Sequence, residues 1–367
     1  MVSSCAAWGA TSSTSIFSTQ STPATEVDHL AYFVLVICAL IFIGVSSLLI
    51  YALRRYRARP GENVEPPQVF GSVQIELAWT IIPVLIIVTL FLGTARVLFS
   101  VQDARKPASA LDVIVVGHQF WWEFRYPQYN VITANELHVP VSSPAFSRPT
   151  FMKLTSADVI HSFWVPSLAG KTDLLPNRVN EMWIDPQETG VYLGQCAQFC
   201  GMQHAKMLLR VYVDSPEQFQ QWIANEQKTQ GETAVTMQAS LSVPGRGNAG
   251  QGDPPSNSPA ARMETVAQPA GTLQAINAHD GKLEFERQAC INCHTVAGTV
   301  ANGRYGPDLT HLMSRDTLAA GAMPNTPENL KKWIEDPSIF KPGSLMPAMR
   351  LTERQDAQIT AYLLTLK

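Results

Sequence analysis

Charge is scarce in this chain. Asp, Glu, Lys and Arg make up only 16% of its 367 residues, against 46% hydrophobic residues. That balance excludes a mostly disordered polymer, which needs high charge and little apolar content. A mean hydropathy of +0.01 falls short of a fully membrane-embedded protein, so a membrane part averaged with soluble parts is expected. The formal net charge is only -3, which argues against nucleic acid as a main partner. Residues 2–29 hold no Lys or Arg, no internal repeat is present, and the information lies in where the 6 Cys, 8 His and 11 Met are placed.

What is present begins with two long apolar runs. Leu30 to Leu53 is 24 residues without a charge, and Leu77 to Ala95 is 19, with Pro83 inside. A bilayer needs about 20 such residues, and proline is tolerated in a membrane helix. Buried core helices are the alternative, but both runs are sharply bounded by charge. Neither carries the cleavage pattern of a signal peptide. Arg54, Arg55, Arg57 and Arg59 lie between the runs, and positive charge stays on the cytoplasmic side. The expectation is a hairpin over 30–98 with a cytoplasmic loop at 54–76. A segment 1–29 and everything after about residue 98 then face outward, the periplasm in a bacterium. Cys5 reads as an ordinary cysteine or a lipid anchor, the former favoured because no apolar stretch precedes it.

Residues 110–213 alternate as short strands: Leu111, Val113 and Val115, then runs at 137–141, 151–155, 179–184, 190–195 and 207–213, punctuated by Pro, Gly, Asn and Asp. A sandwich or barrel follows, closed by a short helix from Pro216 to Gln227. A Gly-, Pro-, Ser- and Asn-rich stretch then reads as a flexible linker, within 228–275. The remainder, 276–367, reads as helical. Thr326 and Pro327 offer a cap and a first-turn proline, and Thr352 with Gln355 forms a capping-box pattern.

Cys290-Ile291-Asn292-Cys293-His294 is the C-x-x-C-H pattern of covalent haem c attachment, with His294 as the proximal ligand. Zinc would need a second pair of ligands, and residues 295–367 offer only His311. The segment resembles the small class I cytochromes c, in which a Gly-Pro pair follows the haem histidine and a Met precedes the last helix. Gly306-Pro307 and Met346-Pro347 match. That resemblance implies Met346 as the second axial ligand, with Met349 next and Met313, Met323 and His311 as competitors. It also implies a helix-crossing contact from Gly281, Phe285 and Tyr362.

Cys196 to Met207 reads CAQFCGMQHAKM: two Cys four apart, His204 four further on, Met207 three after that. It lies between two expected strands, where several ligands can converge. Thiolate, imidazole and thioether suit copper. Two thiols beside His and Met suit two copper ions sharing bridging sulfurs, with His161 supplying a further imidazole. A Cys196–Cys200 disulfide is the alternative.

With ELAWTIIP, GHQFWWEFRY and DVIHSFWVPSLAGKTD added, the chain resembles subunit II of the haem–copper cytochrome c oxidases, of the caa3 type with a fused cytochrome c. The resemblance covers nearly everything from 30 to 367 except the linker. It implies a transmembrane hairpin, a cupredoxin-like β-barrel at 99–227 and an all-α cytochrome c at 276–367. It implies a binuclear copper centre, CuA, held by His161, Cys196, the carbonyl of Gln198, Cys200, His204 and Met207. The family usually has Glu at 198, where it also helps hold magnesium; a neutral amide is a weaker ligand for a hard cation. The family's tryptophan where electrons arrive corresponds to Phe120, followed by Trp121 and Trp122, a cluster expected near the copper domain's surface. Glu76, three before Trp79, corresponds to a residue at the mouth of a proton pathway. Implied partners are subunits I and III and an upstream cytochrome c or quinol-oxidising complex. The chain has no intramembrane histidines for oxygen chemistry. Nitric oxide reductase, nitrous oxide reductase and a free-standing tethered carrier are the competing readings.

Overall fold

The computed structural model describes residues 14–57, 61, 65, 68, 70–143, 147–228 and 278–367. Cys5, Arg59 and the expected linker beyond Lys228 lie outside the described residues.

Two long helices open the fold: α1, Thr22–Arg55, and α2, Val73–Gln102. Both apolar runs lie inside them, and the 18-residue apolar windows of both helices are unburied by protein. Side chains such as Phe42, Leu48, Phe91 and Leu92 point outward, which suits a lipid surround. Helix α1 starts eight residues before the apolar run, so residues 22–29 are helical rather than a separate segment. The cause is local: Pro23 fits the first turn, and Asp185 accepts hydrogen bonds from the Thr22 amide at 2.6 Å and from Ser21 Oγ at 2.8 Å. Trp183 Nε1 donates to the Val101 carbonyl near the end of α2 at 2.7 Å. One strand and the residue after it thus seat both helices on the domain that follows.

Among the described residues that domain has ten strands in two five-stranded sheets. They are β1 Leu111–His118, β2 Trp121–Tyr126, β3 Val131–Ala134, β4 Glu136–Pro140, β5 Thr150–Ser156, β6 His161–Trp164, β7 Thr172–Leu174, β8 Asn180–Ile184, β9 Gly190–Cys196 and β10 Leu208–Asp214. The orders are β3-β2-β1-β5-β8 and β4-β10-β9-β6-β7. Alternate residues of each face inward, where Trp122, Phe124 and Phe163 meet Leu137, Leu154 and Val211 in one core. Trp122 and Phe163 pack edge to face across the sheets, 5.6 Å between centroids. Helix α3, Pro216–Gln227, carries a complete capping box from Ser215 and Gln218 and buries Phe219 and Ile223.

The C-terminal unit is built from α4 Ala278–Arg287, the single turn α5 Cys290–Cys293, α6 Pro327–Glu335 and α7 Glu353–Leu363. The caps at Thr326 and Thr352 form, each side chain accepting from the third amide of its helix. Helix α4 crosses α7 at Gly281, where a Cβ would lie 2.0 Å from the Gln358 carbonyl oxygen, so only glycine permits the approach. Phe285 and Tyr362 pack at the same crossing, 5.6 Å apart. A small hairpin, β11 Thr317–Leu318 and β12 Met323–Pro324, interrupts the otherwise helical unit.

Candidate copper and haem centres

Strand β9 ends on Cys196, and the chain returns to the sheet at Leu208, so residues 197–207 form a loop pinned at both ends. Cys196 N donates to the Met207 carbonyl at 3.0 Å, and Ala197 N to the Ser162 carbonyl at 2.9 Å. The second contact ties the loop to β6, whose first residue is His161. Inside the loop a single turn over His204–Lys206 folds the later donors back toward the cysteines.

The sequence candidates converge. Cys196 Sγ lies 3.8 Å from Cys200 Sγ, 3.9 Å from His161 Nδ1 and 3.1 Å from the Gln198 carbonyl oxygen. Cys200 Sγ lies 3.7 Å from His204 Nδ1 and 3.8 Å from Met207 Sδ. A disulfide requires sulfurs about 2.05 Å apart, so the cysteines are free thiols. Two ligands about 2.3 Å from one metal at a tetrahedral angle sit about 3.8 Å apart, the spacing of the side-chain donors here. Among the described residues, His161, Cys196 and Cys200 form a buried group able to hold a metal ion. His204, Met207 and the carbonyl of Gln198 complete a soft donor set around it, as copper prefers.

The electrostatics favour one thiolate, at Cys196. A hydrogen bond from Cys200 pulls Cys196 well below the usual thiol range, helped by His161. The resulting thiolate pushes Cys200 up, so the pair shares one proton. Burial would depress His161, yet hydrogen bonds to Asp158 and Cys196 raise it. Asp158 Oδ1 sits 2.8 Å from His161 Nε2, leaving Nδ1 for a metal. Gly117 backs the same ring: a Cβ there would be 2.7 Å from His161 Cδ2. Gln119 links the parts, donating from Nε2 to the Cys200 carbonyl and from N to Asp158 Oδ2, both at 2.6 Å. Sequence reasoning missed Asp158, Gln119 and Gly117. Only Asp158, three residues before His161, carried a local signal.

In the C-terminal unit, Cys290 and Cys293 lie on one helical turn, and His294 follows it. The Pro307 carbonyl is 2.8 Å from His294 Nδ1, which leaves Nε2 free for iron. Burial pushes His294 below its ordinary range and keeps it neutral. Cys290, Cys293, His294, Met346 and Met349 all line one cavity. Met313 and Met323 pack into the apolar core instead. His311 Nε2 lies 3.0 Å from the Glu226 carbonyl oxygen, away from the cavity wall. Arg315 lines the cavity with a buried Nε that has no partner among the described residues, a ready site for a haem carboxylate.

The far wall of this cavity belongs to the β domain: Gln119, Phe120, Trp121, Asn135 and Gln203. Trp121 stacks on His118 at 4.1 Å. Trp122 is a correction to the sequence reading. It is fully buried in the β core, 6.1 Å from the His161 ring, and is no part of the surface. Neighbouring residues of a strand point to opposite faces, so Trp121 and Trp122 cannot share one. Phe120, half-buried, stays at the cavity with Trp121. Gln198 is exposed, and Glu76 sits exposed in the first turn of α2.

Comparison with known proteins agrees along the chain. Residues 10–96 match the family described as cytochrome c oxidase subunit II, transmembrane domain. Residues 139–213 match its periplasmic domain, and residues 278–367 match cytochrome c. Cytochrome c oxidase subunit 2 of Alkalihalophilus pseudofirmus is 31% identical over 338 residues, 91% of this chain and 85% of that protein. The chain belongs to the cytochrome c oxidase subunit 2 family. The subunit 2 of Bacillus sp. strain PS3 is also 31% identical, covering 85% of this chain and 80% of that one. The crystallised periplasmic domain of subunit II (CoxB) of Bradyrhizobium japonicum is 29% identical, covering 34% of this chain and 96% of that chain, with a TM-score of 0.31. Membership makes the chain a redox subunit with a transmembrane hairpin, a cupredoxin-like domain and a cytochrome c domain. The family implies copper in the second and haem c in the third.

Proposed function

We propose that this chain is the electron-transfer subunit of a haem–copper terminal oxidase. It passes electrons from its own haem c to a binuclear CuA and on to haem a of subunit I, where oxygen is reduced to water with proton pumping. The convergence of six donor groups between 3.1 and 3.9 Å, beside a haem cavity walled by the same domain, carries this reading. His161, Cys196, the carbonyl of Gln198, Cys200, His204 and Met207 would hold two coppers. Cys290 and Cys293 would bind the haem covalently, with His294 and Met346 axial. When bound, both groups supply one-electron redox chemistry. The chain's residues favour the thiolate at Cys196, orient His161 through Asp158, exclude water by burial, and set Phe120 and Trp121 between the two sites.

The Arg54–Arg59 cluster supports a cytoplasmic loop and an outward C-terminal part, in the inner membrane of a bacterium. Subunit I, subunit III and an upstream cytochrome c or quinol-oxidising complex are the partners of this reading, and Glu76 is the mouth of a proton path. Gln198 gives copper its carbonyl but offers magnesium only a neutral amide.

The test is metal and haem analysis of the purified chain, with electron paramagnetic resonance of the copper. Two coppers sharing one unpaired electron, with one covalent haem, is the expected result. One copper or none, with Cys196 bonded to Cys200, would overturn the binuclear assignment.

A further inference from the structure

Glu136 opens β4 and is 2% exposed. A carboxylate that deep requires donors, and among the described residues its three hydrogen bonds come from the haem-bearing unit. It accepts from Asp316 N at 3.0 Å, Thr317 N at 2.9 Å and Thr317 Oγ1 at 2.5 Å. The exchange is reciprocal. Tyr212, on the neighbouring strand β10, donates its hydroxyl to Asp316 Oδ2 at 2.6 Å. Without those partners Glu136 would be a buried, unpaired acid.

The hairpin that follows continues the contact. Its turn, Ala319-Ala320-Gly321, runs through the left-handed region at φ 56°, 58° and 77°. Two alanines there carry a backbone cost that glycine would not, and such conformations persist where the surroundings hold them. They are held. Ala320, 1% exposed, is clustered with Trp121 and Ala134 of the copper domain. Its carbonyl accepts from Leu208 N at 3.2 Å. The Ala319 carbonyl accepts from Lys341 Nζ at 2.7 Å, and Lys341 also reaches the Phe120 carbonyl at 3.5 Å. Only a methyl-sized side chain suits a site this closely covered on the Trp121 side.

We propose that the β11–β12 hairpin is a docking peg and Glu136 its socket, fixing the haem domain in one register on the copper domain. This rests on the electron-transfer reading and sharpens it. A flexible linker, as the sequence leads one to expect, would let a haem domain swing between an upstream donor and the copper. The peg makes it stationary. It also covers Trp121, so this ring of the haem cavity wall is closed to any other cytochrome, and the chain's own haem becomes the sole donor to that face. Glu136 and Ala320 act as positioning residues for the transfer.

The test is hydrogen exchange on the assembled full-length protein, with rapid-mixing measurement of haem-to-copper transfer. In the wild type, the amides of Asp316, Thr317 and Leu208 are expected to exchange as slowly as the core amides of Leu330 and Phe124. Glu136→Ala and, from the other side, Ala320→Glu are expected to speed those three amides by about tenfold or more, while the core amides stay protected. Transfer is expected to be independent of viscosity in the wild type and slower and viscosity-dependent in both variants. Fast exchange at the three amides in the wild type, or no change in either variant, would overturn the peg. A wild type in which exchange is slow but haem never reduces copper would instead overturn the electron-transfer reading, leaving the docking intact.

Discussion

Asp158 and His161 form the pair that orients the copper site: Asp158 Oδ1 is 2.8 Å from His161 Nε2, and His161 Nδ1 faces Cys196 Sγ at 3.9 Å. The carboxylate thereby decides which imidazole nitrogen a metal meets. His161 is fully buried, while Asp158 reaches it from the exposed side.

Asp158→Ala is therefore expected to weaken copper binding by about 10- to 100-fold while leaving both thiols in place. Competition with a chelator reads the affinity, and thiol titration of the metal-free protein reads the cysteines. Unchanged copper affinity would remove Asp158 from the site.

Gly281→Ala should destabilise the haem unit alone. Its Cβ would meet the Gln358 carbonyl oxygen at 2.0 Å, and backbone cannot yield cheaply. A loss of about 1–3 kcal/mol or more is expected, read as a lower melting temperature for the haem absorbance with the copper signal unmoved. A matched fall in both would mean the two units melt as one.

Met346 and Met349 both line the haem cavity. Met346 lies just before the capped helix α7, and its replacement by Ala is expected to abolish the Met–iron charge-transfer band in the red. A band that survives there and vanishes in Met349→Ala assigns the ligand to Met349.

Glu226, at the end of α3, faces Arg315, Asp308 and His311 of the haem unit. Burial pushes its carboxyl up to about 7, against the attraction of Arg315. An acid raised in the folded state stabilises below its ordinary range. That stability is lost as pH rises from about 4.5 to about 7, because the unfolded chain ionises first. Glu226→Gln should remove up to about 3 kcal/mol of this dependence. Calorimetric scans at pH 5 and pH 8 check it: the wild type should lose more melting temperature than the variant across that interval. Equal losses would show that Glu226 ionises freely.

The sequence by itself determined what is local. Twenty-four uncharged residues in a row make a membrane-length helix whatever follows, and alternation at Leu111, Val113 and Val115 makes a strand with one buried face. C-x-x-C-H puts two thiols and a histidine on one turn, and Cys196 to Met207 holds four donors within one loop. The cap at Thr352 needs only its own next three residues. Tertiary structure decided everything that joins distant segments. His161 reaches Cys196 because β6 pairs with β9, and Gln119 reaches both centres because β1 ends there. The pleat of β2 sends Trp122 into the core and Trp121 to the haem cavity, though they are adjacent in the chain. Another long-range case is Glu136 with Thr317, 181 residues apart. Neither residue carries a motif, because a buried hydrogen bond depends on which surfaces meet, and no window of sequence contains both.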